Sequence, residues 1–234
     1  MTKTELINEL RKYRCADLSD AMDALGLVNV GSMNPNMRPL RPGIEFKGFA
    51  YTVKLLPKQT PNKQCKTVEE YKEELTRECE DIYSFVNEIT EENAKDMVVV
   101  VDMEGVVGGL WGSEIAMNMM IRGIEGVVID GGCRDSYETN LEQAKVFCTQ
   151  RTYNHVYGRV RSGATNIPVH CAGVTVKPGD IICADDDGVL VIPFEVAEDV
   201  IKFARMQLEE DIATRSSHYK KLGYEPDATL ERLK

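Results

Sequence analysis

An arginine and an aspartate stand side by side at positions 134 and 135, directly after the segment VVIDGGC (127–133). The residues VVID favour a buried strand, and glycine turns at strand ends are where α/β proteins place chemical groups. A guanidinium beside a carboxylate can hold a planar anion through paired hydrogen bonds, while the carboxylate binds a hard cation. Arg134 and Asp135 are therefore candidate site residues.

Asp135 also has a purely structural interpretation. In the segment DSYE, Asp135 can act as the N-cap of a helix with Glu138 at position N3, as in a capping box. The pattern alone is typical of a cap, so both interpretations stay open at this stage.

The glycine-rich segment GVVGGLWG (105–112) follows a predicted strand and precedes a predicted helix. Its glycines do not form the G-x-G-x-x-G pattern of dinucleotide-binding proteins, which argues against a nicotinamide site. The helix predicted to begin near Gly112 offers free N–H groups and the positive end of its dipole, which suit a carboxylate or a phosphate. A plain strand-to-helix turn is the alternative.

The other residues that could take part in chemistry are predicted to have structural roles. The segment ADDDG (184–188) lacks the ligand spacing of a calcium loop and indicates a hairpin turn. His155, His170 and His218 lack the spacing of zinc ligands, so we expect structural or surface roles. Cys133 has no histidine nearby in the sequence to act as a base, and is predicted to be a small packed residue.

Composition limits the class of protein. The 234 residues include 28 basic and 38 acidic ones, a net charge of −10, which argues against nucleic acid or an anionic membrane as partner. Seven cysteines without a C-x-x-C pair suggest neither a disulfide framework nor a thiolate zinc site. The start lacks the apolar core of a signal peptide, and no apolar run approaches the ~18 residues of a membrane span. The sequence therefore predicts a soluble cytoplasmic protein that forms one domain over residues 1–234.

The elements that must position the candidate residues alternate between helix and strand patterns. Apolar spacing predicts short helices in TELINELRKY and DLSDAMDALG, a long amphipathic helix over 67–89, and a charged C-terminal helix over about 194–221. The apolar face of the amphipathic helix comprises Val68, Tyr71, Leu75, Cys79, Ile82 and Phe85. Segments rich in β-branched residues predict strands at 44–56, 97–102, 125–130, 146–150, 155–161, 169–176, 180–185 and 188–193. The result is a mixed α/β domain with parallel strands around 97–130 and a strand-rich second half.

Several segments together resemble one protein family over most of the chain, from about residue 15 to 215. They are DLSDAMDALG, GFAYTV, VVVVDMEG, WGSEIAMNMMIRGIEGVVIDGGCRD and IPVHCAGVTVKPGDIICADDDGVLVIP. They resemble the regulator of ribonuclease activity A (RraA)-like family, whose catalytic branch comprises 4-hydroxy-4-methyl-2-oxoglutarate / 4-carboxy-4-hydroxy-2-oxoadipate aldolases. The resemblance implies a swivelling β/β/α fold, a homotrimer or homohexamer, and active sites between subunits with the C-terminal helix at the interface.

The resemblance also implies roles for individual residues. Asp135 would hold a divalent cation, Mg²⁺ or another such as Mn²⁺, whose other ligands are mainly waters, and Arg134 would contact the substrate and its enolate. A glutamate of the last helix, Glu209 or the adjacent Glu210, would act catalytically from a neighbouring subunit. Backbone N–H groups at the predicted helix start would bind the pyruvyl carboxylate. These belong to Gly112, Ser113, Glu114 and Ile115.

The sequence departs from the family pattern in two places. The family has an acid 21 positions before the arginine, where this chain has Ser113, with Glu114 one place later and about 100° further round the predicted helix. The segment 57–96 is longer than usual, so we expect an altered pocket wall. Because retro-aldol cleavage needs a base and oxaloacetate decarboxylation does not, we expect the chain to favour decarboxylation.

The predicted function is that of a class II, metal-dependent lyase that cleaves 4-hydroxy-2-oxo acids to pyruvate or decarboxylates oxaloacetate. Both reactions leave an enolate, which needs a Lewis acid and a fixed positive charge. One alternative is a non-catalytic protein that binds and regulates a ribonuclease. Another, a quinone methyltransferase, is disfavoured because no glycine-rich S-adenosylmethionine loop followed by an acid is present.

Overall fold

A mixed β-sheet organises the chain in the computed structural model, which describes residues 1–233. The strands are β1 (Arg38–Pro39), β2 (Phe46–Pro57), β3 (Met97–Asp102), β4 (Gly109–Trp111), β5 (Gly126–Cys133), β6 (Val146–Arg151), β7 (Val160–Thr165), β8 (Val169–Cys171), β9 (Val174–Val176), β10 (Ile181–Asp185) and β11 (Gly188–Ile192). The helices are α1 (Lys3–Leu10), α2 (Cys15–Ala24), α3 (Val68–Ile82), α4 (Ser113–Arg122), α5 (Ser136–Leu141) and α6 (Ala197–Leu222), with 3-10 turns at Ser84–Glu88, Phe194–Val196 and Ala228–Leu230.

The main sheet runs in the order β1-β6-β5-β3-β2-β10-β11, with β4 added beside β5 and β7 beside β2. The central strand β3 pairs in parallel with both β2 and β5. Its four valines, 98–101, are fully buried, as expected for a continuous apolar run in a strand covered on both faces. The predicted parallel strands around 97–130 are confirmed.

The two ends of this strand order approach each other, which gives the sheet a barrel-like curvature. On one end, β1 carries Arg38, whose Nη1 donates to the carbonyl of Asp187 in the turn between β10 and β11 (2.9 Å). That turn is the hairpin predicted for residues 184–188. The mixed α/β fold with flanking helices is thus confirmed.

Two apolar clusters hold the helices to the sheet. The larger one fills the sheet interior and includes residues of α4 and of the 3-10 turn at Ser84–Glu88. The smaller one joins α1, α2 and the first half of α6 to β10 and β11. An ion pair between Arg14 and Asp211 (2.8 Å) fixes α6 beside α2. Since these contacts lie within one chain, a subunit interface at α6 stays a prediction.

The segment predicted as one amphipathic helix over 67–89 differs from that prediction. Helix α3 ends at Ile82, and Val68 and Tyr71 on its predicted apolar face are 63% and 43% exposed. Glu78 is buried instead, because it pairs with Lys58 and accepts a hydrogen bond from the Gly158 N–H (2.9 Å). Polar contacts therefore attach the first part of α3, while Ile82 and Phe85 supply the apolar contacts that follow it.

Two of the predicted strands are wrong in extent. Residues 155–159 form a loop, and β7 begins only at Val160. The stretch 169–176 is a hairpin of β8 and β9, because Ala172 and Gly173 turn with φ values of 46° and 87°. No helix within residues 1–233 has the length and hydropathy needed to cross a membrane.

Candidate active site

The short strand β4 brings the two sequence motifs together. It pairs in parallel with the end of β5, with Gly109 opposite Gly132 and Trp111 opposite Cys133. The Arg134 N–H then donates to the Trp111 carbonyl (2.8 Å). The start of α4, two residues beyond Trp111, is therefore adjacent to Arg134 and Asp135.

Gly112 lets the side chains of Arg134 and Asp135 approach the backbone closely at this junction. Its φ of −144° suits any residue, yet a Cβ there would collide with Oδ2 of Asp135 and lie 3.2 Å from Cγ of Arg134. Gly112 is also the N-cap of α4 and provides no side-chain hydrogen bond to the helix. The first N–H groups of a helix have no intrahelical acceptor, so they are available to an anionic ligand.

Asp135 precedes α5 as its N-cap, but its side chain makes no capping hydrogen bond. The capping-box interpretation with Glu138 is therefore wrong. The backbone of Asp135 is left-handed (φ 53°, ψ 40°), a conformation that Asp and Asn tolerate better than most residues. Its carboxylate is 41% exposed and lies 3.6 Å from Nε of Arg134.

A cavity of about 480 Å³ opens where these residues meet, within the range of small-molecule sites. Gly112, Glu114, Ile115, Arg134 and Asp135 line it. Ser113 does not, because its side chain is turned to Glu142 and its Oγ donates to Oε1 of that residue (2.5 Å). An acid does reach the cavity from this turn, since Glu114 lies on its wall. This differs from the expectation that one helical step turns Glu114 away.

The opposite wall comes from α3 and the 3-10 turn after it, through Glu80, Tyr83, Val86 and Asn87. The Tyr83 hydroxyl donates to the carbonyl of Leu110 in β4 (2.7 Å), and burial raises the pKa of this phenol. From α4, Nη1 of Arg122 donates to the Val86 carbonyl (2.7 Å). The wall is thereby fixed to the elements that carry the arginine-aspartate pair.

His155 also lines the cavity, which the sequence analysis did not anticipate. The loop after β6 runs beside β4, with a bridge between Gly109 and His155 and a hydrogen bond from the Gly109 N–H to the Asn154 carbonyl (2.9 Å). Nδ1 of His155 accepts from the Tyr157 N–H (2.8 Å). Burial, with Arg134 and Arg159 nearby, lowers the pKa of the imidazole, so it is neutral near pH 7 with its proton on Nε2.

The sequence carried a partial signal for the second wall and none for His155. Glu80, Tyr83 and Asn87 recur at intervals of three and four residues, the spacing of one helical face. The position of His155 depends on its pairing with β4, about 45 residues away along the chain. His170 and His218 do not line the cavity, and Cys133 is fully buried with its pKa raised to about 12 by burial. Packing of Cys133 is thus confirmed.

The donor set fits a cation that keeps most of its water. Within residues 1–233 no group of three or more His, Cys, Asp or Glu side chains is placed to hold a metal. The carboxylate of Asp135 is a hard oxygen donor open to the cavity, and Mg²⁺ binds readily through one or two carboxylates plus waters. These residues suit a hydrated divalent ion with Asp135 as its protein ligand. Glu209, at the middle of α6, is exposed and does not line this cavity.

Comparison with solved structures gives the fold. The chain superposes on Streptomyces coelicolor RraAS2, described as an unusual member of the RNase ES inhibitor RraA protein family, with a TM-score of 0.73. The match has 23% identity and covers 90% of this chain and 96% of the other. It confirms the predicted swivelling β/β/α fold class.

Curated relatives extend the similarity to sequence. A Halalkalibacterium halodurans protein named "Putative 4-hydroxy-4-methyl-2-oxoglutarate aldolase" is 27% identical, over 89% of this chain and 86% of its own length. DlpA of Legionella pneumophila is 29% identical over 90% of this chain, which spans only 31% of DlpA. The family model described as "RraA-like: Aldolase/RraA" matches residues 15–191. The chain whose arginine-aspartate pair meets the start of α4 in one cavity therefore belongs to the RraA-like family.

Proposed function

We propose that this chain is a divalent-metal-dependent lyase that acts on 2-oxo acids. It would release pyruvate from 4-hydroxy-2-oxo acids by retro-aldol cleavage, decarboxylate oxaloacetate, or do both. One observation carries the proposal: Arg134, Asp135 and the start of α4 face a single cavity. The aldolase names of relatives such as the H. halodurans protein support it.

Asp135 would hold the cation, which as a Lewis acid would polarise the 2-oxo group of the substrate. The N–H groups at the start of α4, from Ser113 to Ile115, would bind the pyruvyl carboxylate next to the carbonyl. Arg134 lies beside Asp135 and would donate to the oxygen on which the enolate charge develops. An arginine suits this task because it does not exchange its proton with the reacting groups.

Glu114 is the candidate base for the retro-aldol reaction, because it carries a carboxylate and is among the residues that line the cavity. It would take the proton of the substrate's 4-hydroxyl as the bond between C3 and C4 breaks. The electrons of that bond would form the pyruvate enolate, which Arg134 stabilises until C3 is protonated. Glu209 would act on the same substrate from a neighbouring subunit.

The proposed assembly is a homotrimer or homohexamer in the cytoplasm. Apolar side chains on the outer faces of α4 and α5 are exposed and suit a contact between subunits. They are Met117, Met120, Ile121, Tyr137 and Leu141. All seven cysteines are free thiols, which supports a reducing compartment. The same outer face is the observation that favours the alternative, a protein that binds and regulates a ribonuclease.

The test is a screen for pyruvate release with a panel of 4-hydroxy-2-oxo acids and oxaloacetate, with Mg²⁺, with Mn²⁺ and with a chelator. We expect turnover that chelator abolishes and added metal restores. Absence of pyruvate from every substrate in metal-replete protein would refute the lyase proposal and leave the regulatory alternative.

A further inference from the structure

The cavity is lined by more negative than positive side chains. Glu80, Glu114 and Asp135 contribute carboxylates, while Arg134 is the one Lys or Arg among the described residues that line it. With a divalent cation bound to Asp135, the three negative charges are balanced by the positive charges of Arg134 and the ion. The groups that this chain contributes then leave no surplus positive charge for a carboxylate beyond C4 of the substrate.

In the proposed function, the positive groups of the cavity all contact the pyruvyl end of the substrate. Arg134 and the cation serve the 2-oxo group, and the start of α4 serves the adjacent carboxylate. The remaining polar side chains on the wall are uncharged or acidic, namely Glu80, Tyr83, Asn87, Glu114, Asn118 and the neutral His155. Carboxylates accept hydrogen bonds and carboxamides both accept and donate them, so this set suits hydroxyl groups. A carboxylate in the same space would meet the like charges of Glu80 and Glu114, which disfavours its binding.

The position of Glu80 is fixed by its neighbours on α3. Glu78 accepts from the Gly158 N–H (2.9 Å), and Asp81 accepts from the Ser162 N–H and hydroxyl (2.9 and 2.7 Å). These bonds hold the backbone on both sides of Glu80 against the loop before β7 and against β7 itself. The backbone of Glu80 is thereby held at this wall, and its exposed side chain lines the cavity.

Resting on the proposed function, we infer that the half of the substrate beyond C4 is uncharged and hydroxylated. The preferred substrate class is the 4-hydroxy-2-oxo acids that end in hydroxymethyl or a longer polyol, in place of a second carboxylate. Cleavage breaks the C3–C4 bond, and its electron pair becomes the pyruvate enolate. The proton of the 4-hydroxyl passes to Glu114, C4 becomes the carbonyl of a hydroxyaldehyde, and protonation of C3 completes pyruvate.

Two five-carbon substrates test this inference directly. The compounds 4,5-dihydroxy-2-oxopentanoate and 4-hydroxy-2-oxoglutarate differ only at C5, which is hydroxymethyl in the first and carboxylate in the second. Pyruvate is quantified by chromatography, because the second compound also yields glyoxylate, which interferes with dehydrogenase coupling. We expect kcat/KM in the presence of Mg²⁺ to be at least about tenfold higher for the dihydroxy acid.

Variants of α3 test whether the preference for the dihydroxy acid depends on Glu80. Glu80→Gln should reduce the ratio of the two kcat/KM values several-fold, mainly by improving cleavage of the dicarboxylate. Glu73→Gln is the matched control, since it removes the same charge from an exposed position of α3 that does not line the cavity. The control should leave the ratio unchanged.

The outcomes separate this inference from the proposed function. A ratio at or below one, or a ratio that Glu80→Gln does not change, overturns the inference while the lyase stands. Decarboxylation of oxaloacetate without cleavage of either five-carbon acid has the same consequence. No pyruvate from any of the three compounds overturns the lyase proposal and the inference with it.

Discussion

The two walls of the cavity are built in opposite ways. One wall consists of β4, the start of α4 and the end of β5, where the residues that face the cavity lie within a few positions of a strand end. The other consists of α3 and the 3-10 turn after it, which reach the cavity through contacts with distant parts of the chain, such as Tyr83 with Leu110 and Asp81 with Ser162. The first wall holds the groups proposed for chemistry, and the second holds Glu80, which is proposed to select the variable end of the substrate.

This difference predicts that reaction type and substrate choice depend on different parts of the sequence. A strand end, a glycine and a helix start fix the geometry of the first wall locally, so Gly112 and Arg134 can be recognised as a motif. The second wall is attached to the first through side chains such as Tyr83 and Arg122, while its other cavity-lining side chains, such as Glu80, lie outside the motif. Variants of the first wall should therefore affect turnover of all substrates, and variants of the second should affect substrates unequally.

The largest expected effect is that of Asp135→Asn in the first wall. Loss of the carboxylate should lower kcat for every substrate by about a thousandfold, the several kcal/mol that a Lewis acid contributes. The fold should persist, because Asn is favoured in the left-handed conformation that Asp135 adopts. Activity and Mg²⁺ binding by calorimetry are measured on protein with a native circular dichroism spectrum. Wild-type turnover in a folded Asn variant would contradict a role for Asp135 in metal binding.

The next effect is that of Arg134→Lys. A lysine keeps the charge but not the planar pair of donors, so kcat should fall roughly a hundredfold or more, as when one preorganised donor to an oxyanion is removed. The loss should be of similar size with oxaloacetate and with a 4-hydroxy-2-oxo acid, since both pass through an enolate. A rate near that of wild type would remove Arg134 from the mechanism.

Glu114→Gln should affect the two reactions differently. Retro-aldol cleavage needs a base for the 4-hydroxyl, so its kcat should fall by about a hundredfold, within the range for general-base catalysis. Decarboxylation of oxaloacetate requires no such proton transfer, so its kcat should change only a few-fold. Ser113→Ala is the control, because Ser113 is hydrogen-bonded to Glu142 outside the cavity. Equal losses in both reactions would show that Glu114 is not the aldol base.

The sequence predicted the elements around the first wall except β4, and it predicted the second wall poorly, for physical reasons. The parallel strands β3 and β5 and the helix α4 follow from apolar runs and glycines that are local to each element. The role of Glu78, whose buried side chain attaches α3 to neighbouring segments, does not follow from local patterns, because a glutamate in a charged helix normally faces solvent. The side-chain direction of Asp135 was ambiguous for a similar reason, since its left-handed backbone was not apparent from the residues DSYE.

A smaller effect is expected for Tyr83→Phe in the second wall. The variant loses the hydrogen bond to the Leu110 carbonyl, which should lower the free energy of unfolding by about 1 kcal/mol. Because this bond holds the second wall to β4, KM for the preferred substrate should rise a few-fold while kcat changes little. Denaturant unfolding and steady-state kinetics measure the two quantities. A fall in kcat that is equal for all substrates would place Tyr83 with the catalytic wall instead.

The smallest effect concerns His155, which lies where the loop after β6 meets the first wall. Its pKa is lowered below the ordinary value of 6.5, mainly by burial, and its Nδ1 accepts a hydrogen bond that protonation would break. As the pH falls below about 6.5, the unfolded chain binds this proton before the folded chain does, so the free energy of unfolding should decrease. The decrease should stay well under about 1 kcal/mol, because the partly exposed imidazole is screened by solvent.

His155→Asn keeps an acceptor for the Tyr157 N–H but cannot titrate, so the variant should lack this part of the pH dependence. Denaturant unfolding of both proteins at pH 5.5 and 7.5 measures the difference, and identical pH dependence in the two would show that His155 titrates as it does in the unfolded chain.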